Sequence, residues 1–254
     1  MRLSASKVDS FFGCRRQFKY QYLAKPFREP PNKYFIIGNI AHFVLECFYK
    51  AEGTTLDKNE RSNLMGENFK AALRKYGAVG HIRKGIITRE DIVEIRGMLK
   101  SYLGIVGTLT RPVNNIEEFF EIKIDGITVA GKADRIDREN DIYTIVDYKT
   151  SKKPKFSPTS VQMPTYAIWL GEKLGLSLEQ IHSEYYYLRH MGKKNGIKEF
   201  DLTEKSIQDA KDRYHEVEDS INDTETKYCK NTKHFCWVCT YKSYCIGDNN
   251  DYVE

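Results

Sequence analysis

The sequence predicts a mixed α/β domain with helical additions. Three features carry that expectation: an amphipathic stripe over residues 40–51, a change to period-two patterning over 117–149, and a helix–strand–helix alternation after it. The 254 residues suit one large or two small domains, and 41% hydrophobic content supplies a core that a disordered chain lacks. No stretch approaches the roughly 18 apolar residues of a membrane span. The opening MRLSASKVDS has no apolar signal region. A cytoplasmic location is the resulting expectation.

Ser4 or Ser6 caps a first helix through a basic, aromatic stretch that the Pro-rich segment 25–31 ends. The second helix is expected over 38–50, because Ile40, Phe43, Val44, Cys47, Phe48 and Ala51 fall at i, i+3, i+4, i+7, i+8 and i+11. Residues 56–76 and 89–106 read as two further, more polar helices. A β-rich run at 117–124 leads through the hairpin signal Asp125-Gly126 into a strand at 127–137, and a polar turn leads to a third at 142–149. These three form an antiparallel meander. A helix over 159–174, a strand at 182–189, a turn at 191–196, a short strand at 197–202 and a helix from Thr203 to about residue 221 follow. A cysteine-rich tail at 229–245 closes the chain.

The net charge of +5 is unevenly spread: residues 1–34 hold eight Lys/Arg and two acids, interleaved with Phe11, Phe12, Phe18, Tyr20 and Tyr22. Cations beside aromatic rings suit a phosphate backbone with bases nearby; a solvated amphipathic helix is the alternative. G-x-x-x-x-G-K-[ST] is absent, which argues against a P-loop motor, and G-x-G-x-x-G is absent too.

Asp147 and Lys149 share one face of the third strand, and antiparallel pairing brings Asp134 of the second strand near Asp147. Two buried acids are costly without a partner, and a divalent cation neutralises both; oxygen ligands favour Mg²⁺ or Mn²⁺. Such a metal activates water and neutralises developing charge, while Lys149 orients or deprotonates that water, which together is metal-assisted phosphodiester hydrolysis. A surface ion pair is the alternative for the same three residues. Repulsion between the two acids also predicts that alanine at either position raises metal-free stability. His42, one turn before Glu46 on the second helix, can complete the shell, and Glu121 is a further acidic candidate.

The run from Leu3-Ser4-Ala5-Ser6 to Cys14-Arg15-Arg16-Gln17-Phe18-Lys19-Tyr20 resembles the opening of the RecB-type branch of the PD-(D/E)xK nuclease superfamily. Gly38-Asn39-Ile40-Ala41-His42 resembles its G-x-x-x-H helix, and Gly131-Lys132-Ala133-Asp134-Arg135-Ile136-Asp137 its G-x-x-D-x-[ID] strand. Ile145-Val146-Asp147-Tyr148-Lys149-Thr150 resembles the D-x-K strand, and Gln162-Met163-Pro164-Thr165-Tyr166 the Q-x-x-x-Y helix. The five motifs stand in the family's order. The resemblance implies a restriction-endonuclease-like core, a mixed central sheet flanked by helices. It implies His42, Asp134, Asp147 and the Tyr148 carbonyl as metal ligands and Lys149 as the catalytic lysine. Gln162 and Tyr166 then support the site or contact DNA, with Arg15 and Arg16 as further DNA contacts. Asp147 stands where the family often has Glu, and Pro164 inside the fifth motif is tolerated only in a first helical turn.

Cys236-x2-Cys239-x5-Cys245 is a metal-binding signal, with Trp237 and Tyr241 placed to shield it. Cys229 offers a local fourth ligand, giving a zinc knuckle; Cys14 offers a distant one that ties the chain ends together. Cys47 reads as core. The sequence is similar to the subset containing the AddB nuclease domain and the CRISPR-associated adaptation nucleases. That similarity implies a [4Fe–4S] cluster on Cys14, Cys236, Cys239 and Cys245, with structural zinc as the alternative.

A single nuclease domain over 1–254 is then expected: a catalytic core at 113–222 with helix 38–52, a helical insertion at 53–112, and an iron–sulfur clamp from 1–35 plus 226–254. The implied activity is a metal-dependent exonuclease on single-stranded or free DNA ends, working alone or with a helicase, recombination or adaptation partner. A non-catalytic, metal-stabilised DNA-binding module and a structure-specific endonuclease are the alternatives.

Overall fold

A computed structural model describes residues 1–24, 32–106, 111–152, 154, 160–194, 196–223, 225–229, 231, 236 and 239–247. The expected Pro-rich helix end at 25–31 and Trp237 lie outside them. Five strands form one mixed sheet flanked by helices, in the order β1-β2-β3-β4-β5. Strands β1 (Val113–Ile124), β2 (Ile127–Glu139) and β3 (Ile142–Lys149) make the predicted antiparallel meander. Helix α7 (Gln162–Leu174) then leads to β4 (Ile181–Tyr187), parallel to β3, and β5 (Ile197–Glu199) pairs antiparallel with β4.

The Asp125-Gly126 turn sets the register. Both residues adopt positive φ (47° and 91°), the twist that a two-residue hairpin needs and that glycine supplies cheaply. Ile124 therefore pairs with Ile127, and the count runs on through Glu118↔Ala133 to Ile116↔Arg135. Glu117 thus stands opposite Asp134. The β2–β3 ladder ends at Arg135↔Val146, and one step further in that register Asp134 stands opposite Asp147. The three acids form a row across three strands.

The single N-terminal helix expected from sequence is broken. Helix α1 (Ala5–Gly13) is capped by Ser4, Cys14 is extended, and α2 (Arg15–Phe18) runs into a π-helical turn at Lys19–Ala24. Leu3 exchanges backbone hydrogen bonds with β2, its N–H donating to Thr128 O (2.9 Å) and its carbonyl accepting from Ala130 N–H (3.0 Å). Phe11 and Phe18 are fully buried against Leu3, Ile127, Val129, Tyr214 and Val217. They are core residues, and the expectation that they face bases is corrected. Each contributes roughly 2–3 kcal/mol by leaving water.

Helix α3 (Lys33–Lys50) starts earlier than predicted, because Asn32 Oδ1 accepts the Tyr34 N–H at 2.8 Å. Its buried stripe is Ile37, Ile40, Ala41, Val44, Leu45 and Phe48, rotated from the predicted one, so Phe43 and Cys47 sit at its margin. Helices α4 (Lys58–Lys75), with an Asp57/Glu60 capping box, α5 (Ala78–Arg83) and α6 (Arg89–Val106) pack with α3 over Val146, Tyr148 and Tyr186 of the sheet. Helix α7 covers the other face with Met163, Tyr166, Trp169 and Leu170. Helix α8 (Glu204–Asn222), opened by a Thr203/Ser206 box, packs with α1, and α9 (Lys242–Gly247) follows the tail. Among the described residues no helix is long and apolar enough to cross a membrane.

Candidate active site

The site lies where β2 and β3 part. Asp134 Oδ2 accepts the Tyr148 N–H at 2.8 Å, replacing the ladder bond that the parted strands no longer make. His42, brought in on α3, places Nδ1 3.0 Å from Asp134 Oδ1 and Nε2 3.0 Å from the Tyr148 carbonyl. Ligand atoms of His42, Glu117 and Asp134 all lie within 4.8 Å of one another. Next along the row, Asp147 is ion-paired to Lys149 Nζ at 2.7 Å.

Gln162, the first residue of α7, ties this second half together. Its Nε2 donates to Asp147 Oδ1 (2.7 Å) and to Tyr166 OH (2.9 Å), and its Oε1 accepts from Lys149 Nζ (2.7 Å). The Tyr166 hydroxyl donates to the Lys132 carbonyl at 2.9 Å. Pro164 falls in the first turn of α7, where its missing N–H has no helical partner to lose. The motif glycine has a steric cause. A Cβ on Gly131 would lie 2.4 Å from the Phe120 ring, which stacks on Trp169 at 4.6 Å and meets Tyr166 edge-on. That packing holds α7, and with it Gln162, over the row of acids.

Charges in the site are balanced by contact. Burial raises the Asp134 carboxyl, yet His42 and the Tyr148 N–H more than offset it and hold it below the usual carboxylate range. Burial works against a charged His42, but Asp134 outweighs it and lifts the imidazole to about 9. Asp147 is raised by burial despite Lys149, and Glu117 by burial despite its ion pair with Lys132. Lys149 loses hydration to burial but gains more from Asp147, so its ammonium is held above the usual lysine range. At Asp134 the attraction to His42 works against the expectation that removing either acid raises stability.

Beneath the site lies a buried guanidinium. Arg135 Nη1 donates to the hydroxyls of Tyr49 (2.5 Å), Tyr102 (2.6 Å) and Tyr148 (2.9 Å), and Nη2 donates to Asp137 at 2.9 Å. The residues are contributed by α3, α6, β2 and β3, so one cation ties the Tyr148 ring to three other elements from below. Arg111 closes the group through Glu184.

Other predicted residues fall elsewhere. Glu121 is half exposed, pairs with Arg2 at 3.1 Å and stands opposite Ala130, outside the acidic row. Glu117, absent from the sequence expectation, takes the place proposed for it. It carries φ 53° within a strand, a costly conformation for a residue with a side chain and typical of functional sites. Arg16 is buried, its Nε donating to Tyr228 O (2.8 Å), which leaves no exposed face for a phosphate. Arg15 pairs on the surface with Glu216 at 2.9 Å. Near the tail, the Arg16 N–H donates to Cys229 O (3.1 Å) and Asn231 Nδ2 to Gly13 O (2.7 Å), so the chain ends meet. Burial pushes the Cys239 thiol up, and the nearby Cys14, Cys236 and Cys245 thiols add to the rise. Among the described residues no three thiols come within 4.8 Å of one another.

The family model of the PD-(D/E)XK nuclease superfamily matches residues 2–246. The chain belongs to this superfamily. PD-(D/E)XK nucleases use divalent metals. Over 107 residues it is 29% identical to the Gene 69 protein of Mycobacterium phage D29, a match spanning 42% of this chain and 38% of that protein. The chain thus spans under half of that relative's length. A crystal structure of a candidate exonuclease from Eubacterium rectale has the same fold, with TM-score 0.55 and 10% identity over 100% of this chain and 89% of that one. In this chain the imidazole and carboxylate donors of His42, Glu117 and Asp134 are of the type and spacing that a divalent cation takes.

Proposed function

We propose that this PD-(D/E)XK nuclease is a divalent-metal-dependent exodeoxyribonuclease of the RecB-type branch, acting on single-stranded or free DNA ends. The observation that carries the reading is the convergence of His42, Glu117 and Asp134 beside the Asp147–Lys149 pair. The ordered RecB-type motifs support the exonuclease assignment. His42, Glu117, Asp134, Asp147 and the Tyr148 carbonyl are the ligands we assign to Mg²⁺ or Mn²⁺. Such an ion supplies a Lewis acid for a phosphate oxygen and lowers the pKa of a water.

The chain's own groups do the rest. Lys149, held as an ammonium by Asp147, offsets negative charge gathering on the phosphate; its raised pKa favours this role over proton removal from water. Gln162 holds Lys149 and Asp147 in one orientation, and Tyr166 holds Gln162. We read 113–222 with helix 38–52 as the catalytic core and 53–112 as a helical insertion. We assign Cys14, Cys236, Cys239 and Cys245 to a [4Fe–4S] clamp, with zinc as the competing occupant; the meeting of the chain ends supports it.

The test is end-labelled linear DNA, single- and double-stranded, against closed circles, with Mg²⁺ or Mn²⁺. Linear strands are expected to shorten from their ends while circles survive, and Lys149→Ala is expected to bind DNA without cutting it. Efficient cutting of circles overturns the exonuclease assignment. Binding with no metal-dependent cleavage in the wild type assigns a non-catalytic module instead.

A further inference from the structure

Of the N-terminal aromatics that sequence placed against bases, Phe11, Phe18 and Tyr20 are buried and Phe12 and Tyr22 half-buried, whereas two rings on α3 are exposed. Tyr34 and Phe35, in the first turn of α3, are 58% and 68% exposed. Phe35 lies on the helix face that continues through Gly38 and Asn39 to His42, seven residues and roughly 10 Å along the axis. Tyr34 is within electrostatic reach of Arg189, whose Nε donates to the Thr150 carbonyl (2.6 Å) one residue past Lys149. His190 Nε2 lies 3.0 Å from the Lys152 carbonyl, which joins this strand end to the turn after residue 190. Lys152, Lys193 and Lys194 on these segments are exposed and in no ion pair among the described residues.

Two rings are too small a surface for a stable protein interface, which buries roughly 800 Å² per partner. Exposed rings on the helix that carries His42, together with unpaired cations on the segments that Arg189 and His190 link to the end of β3, match what an unpaired nucleic-acid strand requires: faces for bases and charge for phosphates. We propose that Tyr34 and Phe35 form a stacking platform for unpaired nucleobases of the substrate strand, with Lys152, Lys193 and Lys194 on its phosphates. The proposal rests on the nuclease reading and deepens it, since it makes base stacking next to the catalytic row a determinant of substrate choice.

The experiment compares binding of a labelled oligothymidylate with that of an abasic strand of equal length, in EDTA, by fluorescence anisotropy. Wild type is expected to prefer the strand with bases by roughly 5- to 150-fold per stacked base. Phe35→Ala, with Tyr34→Ala beside it, is expected to bind both strands at the abasic level, and Phe35→Trp to restore the preference. Equal binding of the two strands by wild type overturns the platform, as does Phe35→Ala that keeps the preference. A changed self-association of Phe35→Ala in ultracentrifugation, with base preference intact, assigns the face to a second copy and likewise overturns it. Turnover is not needed for this readout. Base preference without any cleavage defeats the nuclease reading alone, and cleavage without base preference defeats the platform alone.

Discussion

Asp134→Asn isolates the charge that holds the imidazole in place. Asn keeps an oxygen to accept the Tyr148 N–H, and its amide can donate to Nδ1 of a neutral His42, whose Nε2–H still reaches the Tyr148 carbonyl. Every hydrogen bond survives; only the ion pair is lost. Asp134 lifts His42 from 6.5 to about 9 against the burial that opposes its charge. That rise is worth at most roughly 3 kcal/mol. Because the folded-state value is raised, this stability is complete below the unfolded value of 6.5 and is lost as pH climbs through about 9. Urea denaturation in EDTA, followed by circular dichroism, reads it directly. Wild type should exceed Asp134→Asn by roughly 3 kcal/mol more at about pH 6 than at about pH 10. A gap of equal size at both pH values would refute the ion-pair account.

Arg135→Met leaves buried Asp137 with only its longer ion pair to Arg111 (3.7 Å) and three tyrosine hydroxyls without their donor, and urea denaturation should show a loss of roughly 3–5 kcal/mol. Phe11→Ala should cost roughly 3–5 kcal/mol in the same assay, a core penalty that an exposed base-stacking ring would not incur. Anaerobically purified wild type should be brown and Cys14→Ser pale on iron and sulfide analysis; a colourless wild type holding stoichiometric zinc contradicts the cluster assignment.

The meander and most of the proposed catalytic cluster were legible because they are local. Period-two patterning around Asp125-Gly126 and the two-residue spacing of Asp147 and Lys149 carry their own geometry. The same turn also contained the information that Glu117 faces Asp134, since a two-residue hairpin pairs residues at equal distances from it. Glu121 shares the strand face with Glu117 but lies four residues, roughly 13 Å, nearer the turn, so face alone could not choose between them. The N-terminal stretch misled for a different reason. Its charge and rings look like a binding surface until Cys14 breaks the helix and Leu3 anchors it to β2. The Arg135 group was illegible, because its tyrosines converge from α3, α6 and β3, and no local spacing records that convergence.

The central claim is that the row set by hairpin register holds the cation. Mn²⁺ titration calorimetry on wild type, Glu117→Gln and Glu121→Gln, each also assayed for DNA cleavage, tests it most directly. Glu117→Gln should weaken Mn²⁺ binding and slow cleavage together, while Glu121→Gln should match wild type in both. Unaltered Mn²⁺ affinity in Glu117→Gln, or a loss confined to Glu121→Gln, would contradict the site described.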